Sequence, residues 1–281
     1  KDYRLRKWPR HDLLGAPVKF ANSLEPRYRN WIRLSELPWL RDHRVQGLIV
    51  YPAAGYISMA IEAAHQRAVE TNVAVEGFEL REISLSQALV IPEPAGEAEV
   101  MFCMKPRPES SKSSSGTWDE FFVYSASDKG DWVEHCRGQI SIRQPASLNV
   151  VDGERQRDLI RSEYAHKRAG ADIECTHLIE GAELYTKCTQ IGLEYGPTFA
   201  NLVEARVGNS GSGRTVVGAI GKVLQPDIAK VMPEQYQSPS IIHPALLDAL
   251  FHVAIASPKS LKSAAVPTSI SSVFVSKTLA S

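Results

Sequence analysis

Cysteine is scarce in this sequence, and the few cysteines present are not grouped. Four of the 281 residues are cysteines, with no CxxC pair: Cys103, Cys136, Cys175 and Cys188. A chain of this length can bury a core without a disulfide framework, so we predict reduced thiols that serve in packing, as in a cytosolic protein. His135 precedes one of them, but neighbours on a strand point to opposite faces. Because no second pair stands nearby at zinc spacing, the sequence predicts no metal site.

An excess of charge of either sign is also missing. Lys and Arg together number 32, as do Asp and Glu, so the formal net charge is zero. Such a chain has no overall field that would attract nucleic acid or an anionic membrane surface, and we predict neither as a partner.

A long uninterrupted apolar run is absent as well. The longest apolar stretch, residues 47–64, contains Pro52, Gly55 and Ser58, which favours a strand that turns into a buried helix over a membrane span. The basic start, KDYR, is not followed by the apolar segment of a signal peptide. A first residue other than Met is expected of a piece cut from a larger protein.

Regular hydrophobic patterning is what the sequence does contain. After Pro52, apolar residues follow the spacing of one helical face as far as Ala68, which predicts a buried helix. Residues 97–105 and 132–143 alternate between apolar and polar side chains, as expected of strands with one buried face. The polar segment ESSKSSSG, residues 109–116, is typical of a flexible loop between them.

Similar helix and strand patterns recur after a polar connecting segment. Residues 146–170 are charged and lose the alternation, so we predict a linker there, between one unit at 1–145 and another at 171–281. The second unit has the patterns of helices at about 182–191 and 243–256 and of strands at about 202–207 and 214–223. This duplication predicts an α+β protein of two similar units, each a sheet wrapped around its helix.

Three titratable residues stand beside these elements. His43 lies at the edge of the apolar run 48–50, and Asp248 and His252 lie one helical turn apart, opposite an apolar stripe centred near Leu250. Taken singly, such residues more often pack or face solvent than catalyse. As a pair, His43 and Asp248 would supply the base and the acid that remove a proton from one carbon and a hydroxyl from the next. Burial would raise the pKa of the carboxyl and keep it protonated, whereas imidazole ionises near neutral pH.

Four short motifs carry a resemblance to a known family. HRVQGLIVYP at 43–52 fits HxxxGxxxxP, YGPTF at 195–199 fits YGPxF, HPALLD at 243–248 fits HPxxxD, and HDLLG stands at 11–15. Their order and separation resemble the dehydratase domains of modular and iterative polyketide synthases over nearly the whole chain. The connecting sequence, such as PAAGYISMAIEAA and EHCRGQISI, looks most like that of the highly reducing iterative synthases of fungi.

The resemblance implies a fold and a reaction. The fold is a double hotdog, in which two antiparallel sheets each wrap around a central helix and the base and the acid come from different units. His43 would abstract the α-proton of a β-hydroxyacyl thioester, and Asp248 would protonate the departing β-hydroxyl. Water leaves, and an α,β-unsaturated thioester remains.

Three residues near the first helix are expected to shape this site. Gly47 would permit close backbone approach, and Pro52 would fix φ at the start of the helix. Free amides near Gly55, at the positive end of that helix, would polarise the thioester carbonyl.

Four residues of the second unit are expected to position the substrate and the acid. Tyr195 would hydrogen-bond the β-hydroxyl or Asp248, from a turn held by Gly196 and Pro197. His252 would orient the carboxyl of Asp248.

The resemblance also implies partners. The substrate would arrive on the phosphopantetheine arm of an acyl carrier protein, and the elimination would need no other cofactor. Ketosynthase, acyltransferase, ketoreductase and enoyl reductase domains would be neighbours in the parent synthase, which would be a cytoplasmic protein and a homodimer.

Three other functions remain open at this point. A product-template domain, which cyclises poly-β-keto chains, shares the fold and a similar His and Asp, although the intact HPALLDA string favours dehydration. A module that only holds acyl chains or dimerises would keep the motifs for packing, with the His and Asp far apart or the space between them filled. A hotdog thioesterase would need a carboxylate placed to activate water, and none is evident. The chain also stops at Ser281, before the further strands expected of the second unit, so that unit is expected to be trimmed or short.

Overall fold

The computed structural model describes residues 8–19, 24–94, 96–107, 118–127, 130–145, 151–209, 216–256 and 263–279. Before residue 146 the described part contains one long helix and eight strands: β1 (Ala16–Pro17), β2 (Arg27–Arg33), β3 (His43–Val45), β4 (Leu48–Ile49), α1 (Ala53–Glu70), β5 (Gly77–Leu85), β6 (Glu97–Pro106), β7 (Asp119–Ala126) and β8 (Trp132–Arg143). The predicted helix after Pro52 and both alternating strands are confirmed. The predicted loop at 109–116 lies outside the described residues.

The later part of the chain contains further helices and strands. They are α2 (Val151–Glu174), β9 (His177–Glu180), α3 (Gly181–Gln190), β10 (Leu193–Tyr195), β11 (Leu202–Asn209), β12 (Val216–Val223), α4 (Pro244–Ile255) and β13 (Ser269–Ser276). No helix of the described ranges is both long and apolar enough to cross a membrane.

A large antiparallel sheet wraps around α1. Its seven strands run in the order β1-β2-β6-β7-β8-β5-β13. Side chains of α1 are buried on nearly every turn, including Ile57, Ala60, Ile61 and Ala64, because the helix packs against strands of this sheet and also against α4. The last strand, β13, pairs with β5 of the first unit, although its residues belong to the predicted second unit.

A second sheet joins the two units directly. It has three strands in the order β10-β3-β4, and its cross-unit pair places Tyr195 opposite His43. β3 and β4 are connected by Gln46 and Gly47, whose φ values of 51° and 79° are those of a tight hairpin turn. A Cβ on Gly47 would have no atom within 4 Å. The expected reason for this glycine, close backbone approach, is therefore wrong, and the positive φ is the reason that the structure supports.

The third sheet, β12-β11-β9, covers part of α4, which also lies against α1. The apolar stripe of α4 was predicted to be its buried side, and this prediction is wrong. Leu250, its centre, is 37% exposed, whereas Asp248 and His252 are 8% and 2% exposed. The hydrophobic pattern failed because the polar side of this helix faces a buried site between the units, and not solvent.

The predicted linker is largely helical. Residues 151–170 belong to the 24-residue helix α2, and residues 146–150 lie outside the described residues. Residues 162–169 of this helix are exposed, so they give no apolar periodicity for a pattern to detect. The hydrophobic core around α1 extends into the second unit through Leu247 and Phe199, and within the described residues the second unit has a further cluster of its own, which includes Leu184 and Leu202. The division at 1–145 and 171–281 therefore stays a prediction about similar units that pack together.

Candidate active site

His43 begins the strand β3 and is held by a backbone carbonyl. Its Nδ1 lies 2.7 Å from the carbonyl oxygen of Val50, across the hairpin. Since a carbonyl only accepts, Nδ1 carries the ring hydrogen, and Nε2 of the neutral ring is left with a free electron pair. The imidazole is 8% exposed and packs against the rings of Phe199 and Tyr195, with centroids 5.1 and 5.6 Å away.

Asp248 is placed by a helix that begins at the HPALLD motif. His243 caps α4, since its Nδ1 accepts a hydrogen bond from the backbone N–H of Ala245 at 3.1 Å, and Pro244 occupies the first helical position. Burial lowers the pKa of His243 to about 3, so the ring stays neutral and keeps its accepting nitrogen. The cap sets the start of the helix, and Asp248 projects one turn later.

The structure brings His43, Asp248 and His252 together. Nε2 of His43 lies 3.9 Å from Oδ2 of Asp248, and Nε2 of His252 lies 3.0 Å from the same oxygen. Within the described residues, Oδ2 of Asp248 and Nε2 of His252 have no protein partner in hydrogen-bonding geometry, because their contact is poorly aligned. Buried polar atoms without a partner are costly, so a site with two of them beside a basic nitrogen suits a polar ligand group.

The pKa of Asp248 differs from the expectation. Burial acts to raise the pKa of Asp248, but the contact with His252 and the charges that His43 and His252 carry when protonated outweigh it, and the pKa is lowered. Burial is also the main influence on His43 and lowers its pKa. The predicted rise for Asp248 is therefore wrong, because the sequence did not show two imidazoles around this carboxyl.

The YGPTF motif forms a turn that is tied to the residue before the histidine. The carboxylate of Asp42 accepts hydrogen bonds from the backbone N–H and the hydroxyl of Thr198, at 3.0 and 2.8 Å. The N–H of Gly196 donates to the backbone carbonyl of Asp42 at 2.8 Å, and a Cβ on Gly196 would lie 2.4 Å from the carboxyl carbon of Asp42. Pro197 lies inside this turn. Glycine at 196 is thus required by the close approach of Asp42, a reason that the prediction of a turn at Gly196 and Pro197 did not include.

Tyr195 and a second tyrosine surround His252. The ring of Tyr195 lies 4.2 Å from that of His252, and burial together with the charge of Asp248 raises its pKa far above the usual value. Tyr185, on α3, places its hydroxyl oxygen 3.1 Å from Nδ1 of His252. Sequence analysis missed Tyr185, Asp42 and Thr198, since none belongs to a recognisable catalytic pattern, although Asp42 and Thr198 adjoin motif residues.

The start of α1 differs from the expectation in one respect. Pro52 directly precedes the helix, with φ of −68°. The amide of Gly55 donates to the carbonyl of Pro52 at 2.9 Å, so it is not one of the free amides. A Cβ on Gly55 would lie 2.4 Å from the ring of Tyr51. The structure supports a packing reason for this glycine.

Comparison with known proteins extends these observations. The family model described as polyketide synthase dehydratase domain matches residues 11–115, and that described as polyketide synthase dehydratase N-terminal domain matches residues 165–281. The highly reducing polyketide synthase tstA of Talaromyces stipitatus is 45% identical over 100% of this chain and 11% of its own length. Highly reducing polyketide synthase phiA of Fungal sp. (strain ATCC 74256) is 47% identical over 98% of the chain and 11% of its own length. The chain thus spans about a tenth of the length of these relatives.

Solved structures agree on the fold. The dehydratase domain from the CurF module of curacin polyketide synthase has a TM-score of 0.67 at 22% identity and covers 93% of this chain and 82% of its own. A trans-AT polyketide synthase dehydratase domain from Brevibacillus brevis has a TM-score of 0.67 at 20% identity, over 93% of this chain and 80% of its own. These likenesses confirm the double hotdog. With the family models and the fungal relatives, they establish that the chain belongs to the polyketide synthase dehydratase domains, of the kind found in fungal highly reducing synthases.

Proposed function

We propose that this domain dehydrates a β-hydroxyacyl thioester carried by an acyl carrier protein, with His43 as general base and Asp248 as general acid. The observation that carries the proposal is the 3.9 Å separation of Nε2 of His43 and Oδ2 of Asp248. The two groups come from different units and meet in a buried site, where about a tenth of each side chain, 10% and 11%, stays accessible.

His43 has the protonation state that a base needs. Its Nδ1–H is engaged by Val50, so the electron pair of Nε2 points to the side where Asp248 lies. Burial lowers the pKa of His43, which keeps the ring neutral at neutral pH. In the elimination, Nε2 takes the α-proton, and the electron pair of the broken C–H bond forms the double bond.

Asp248 would deliver a proton to the β-hydroxyl as the C–O bond breaks, and water would leave with that bonding pair. The step ends with His43 positively charged and Asp248 negatively charged. At 3.9 Å these opposite charges attract, and the same attraction lowers the pKa of Asp248. The electrostatics of the site thus favour the charge distribution that elimination produces. Turnover then requires that Asp248 regain a proton and His43 lose one.

The alternatives differ in what they require of this geometry. A module that only holds acyl chains has no need of a free imidazole nitrogen 3.9 Å from a buried carboxyl. A product-template domain could use the same pair, but the HPALLDA string and the likeness to highly reducing synthases favour dehydration. A thioesterase is disfavoured because the family models and the fungal relatives that the chain matches are those of polyketide synthase dehydratases and highly reducing synthases.

The partners follow from the same proposal. The relatives are synthases of which this chain matches about a tenth, 11%. We infer that an acyl carrier protein presents the substrate on its phosphopantetheine arm, and that ketosynthase, acyltransferase, ketoreductase and enoyl reductase domains belong to the same cytoplasmic, homodimeric synthase.

The test follows loss of water from 3-hydroxyacyl pantetheine thioesters of several chain lengths by mass spectrometry. His43→Ala and Asp248→Asn are each expected to lower kcat by about 10²–10⁴-fold, the usual range for a general acid or base. His177→Ala and Asp227→Asn, at exposed positions, are matched controls expected to keep full activity. Unchanged kcat in either active-site variant would refute the assignment of His43 and Asp248. A folded wild type that cyclises a poly-β-keto thioester but dehydrates none of the substrates would instead support a product-template function.

A further inference from the structure

The hydroxyl of Tyr185 lies behind His252 with two acceptors in reach. Its oxygen accepts a hydrogen bond from the backbone N–H of Leu202 at 2.9 Å. Its own hydrogen is then free to donate, either to Nδ1 of His252 at 3.1 Å or to the carbonyl oxygen of Phe199 at 3.5 Å. A hydroxyl hydrogen rotates to suit its surroundings, so both choices are open to the same side chain.

The two directions of donation by Tyr185 correspond to different numbers of protons on His252 and Asp248. When Tyr185 donates to Nδ1, the neutral ring of His252 carries its hydrogen on Nε2, 3.0 Å from the carboxylate of Asp248. When Tyr185 donates to Phe199, its oxygen can accept from Nδ1–H, and Nε2 then accepts from a protonated Asp248. The second arrangement holds one proton more, and His252 is neutral in both.

We propose that Tyr185 is a positioning residue that lets His252 change which ring nitrogen carries its hydrogen as Asp248 loses and regains its proton. This inference rests on the proposed role of Asp248 as the acid. After elimination, a proton from solvent binds Nδ1 of His252 as the tyrosine hydroxyl turns to Phe199. A rotation of the Asp248 carboxyl aligns its contact with Nε2, and the hydrogen on Nε2 then passes to Oδ2, so one N–H bond forms, one breaks and one O–H bond forms.

The arrangement answers a difficulty in the proposed reaction. A carboxyl flanked by imidazoles releases its proton readily, so it needs a nearby group from which the proton can be restored. His252 makes the shorter of the two imidazole contacts to Asp248, and its Nδ1 lies against the hydroxyl of Tyr185, a residue that is only partly buried. The titratable groups that face His252 from its own and the neighbouring elements are Asp248 of α4, His43 of β3, Tyr195 of β10 and Tyr185 of α3.

The direct test is the tautomer of His252. Two-bond proton–nitrogen correlation spectra of the 15N-histidine-labelled domain distinguish Nδ1–H, Nε2–H and the doubly protonated ring, and His252→Gln identifies the signal. In the wild type we expect Nε2–H at high pH and Nδ1–H at lower pH. In Tyr185→Phe, which leaves Nδ1–H without an acceptor, we expect no such change until the ring takes a second proton.

Kinetics supply a second readout. Tyr185→Phe is expected to lower kcat about tenfold with KM within about twofold, and to move the acid limb of the pH profile. In a His252→Gln background the same substitution is expected to have no further effect on kcat, because the ring that it serves is gone. Tyr164→Phe, at a tyrosine that is 53% exposed on α2, is the control.

The outcomes separate this inference from the proposed function. A wild-type ring that keeps its hydrogen on Nε2 until it becomes doubly protonated would overturn the role of Tyr185, even if dehydration proceeds. Additive losses in the double variant would do the same. If Tyr185→Phe fails to fold because Leu202 loses its partner, the wild-type spectra alone decide. Absence of dehydration by the wild type would remove the proposed function, whatever the spectra show.

Discussion

A buried carboxyl behind the HDLLG motif makes stability depend on pH. Glu62 of α1 is 3% exposed, accepts a hydrogen bond from the backbone N–H of Ile241, and lies 3.8 Å from Nε2 of His11. Burial raises the pKa of Glu62 from 4.5 to about 7. Glu62→Gln keeps an accepting oxygen for Ile241 but removes the ionisation. A pKa difference of one corresponds to about 1.4 kcal/mol, so the ionised form destabilises the fold by about 3 kcal/mol.

The sign follows from the raised pKa. The native state holds this proton more tightly than the unfolded chain, so the contribution to stability is fully present below about pH 4.5 and is lost as the pH rises through about 7. We expect urea unfolding, followed by tryptophan fluorescence between pH 5 and pH 8.5, to show the free energy of unfolding of the wild type falling by about 2.5 kcal/mol relative to that of Glu62→Gln. Glu234→Gln, at an exposed glutamate, should show the same pH dependence of the free energy of unfolding as the wild type. Parallel curves for the wild type and Glu62→Gln would refute the reasoning.

Three further predictions concern single contacts. Asp42→Ala should lower the free energy of unfolding by about 2–4 kcal/mol, since two hydrogen bonds to its carboxylate from Thr198 are lost; a double-mutant cycle with Thr198→Val should show coupling, and additivity would contradict it. Gly196→Ala should reduce kcat about tenfold in a folded domain, because its methyl group displaces Asp42 next to the base; an unchanged kcat would contradict it. Asp119→Asn should cost about 2–4 kcal/mol in urea unfolding, since it breaks the buried pair with Arg67; a loss that disappears at 1 M salt would indicate a merely screened surface contact.

Sequence patterns predicted the fold where one physical rule acts alone. The helix α1 and the strands β6 and β8 have regular hydrophobic periodicity, and the structure has them where the patterns indicated. For the helix α4 the same rule predicted the wrong side to be buried, because the buried side carries Asp248 and His252. Hydrophobic periodicity cannot distinguish a polar face turned to solvent from one turned to a buried site. Nor does any local signal show that β13 crosses over to pair with β5.

For the site, motifs predicted the residues and not their protonation. His43 and Asp248 were identified by resemblance, and the structure brings them to 3.9 Å. The carbonyl of Val50, which leaves Nε2 of His43 unprotonated, is a backbone group that no side-chain pattern reveals. The direction of the pKa of Asp248 depends on two imidazoles, one of which comes from the other unit. Such effects on protonation depend on tertiary contacts, so no local sequence pattern predicts them.

Backbone pairing fixes the position of His43 against the second unit. β3 and β10 pair across the units with His43 opposite Tyr195, and Asp42 ties the next turn to the same strand through Thr198. Main-chain hydrogen bonds permit only small displacements, whereas long side chains in contact would tolerate larger ones. A reaction that must remove a proton and a hydroxyl in one geometry gains most from this arrangement. The pairing of β3 with β10 therefore positions His43, the proposed base, against the unit that carries Asp248, the proposed acid.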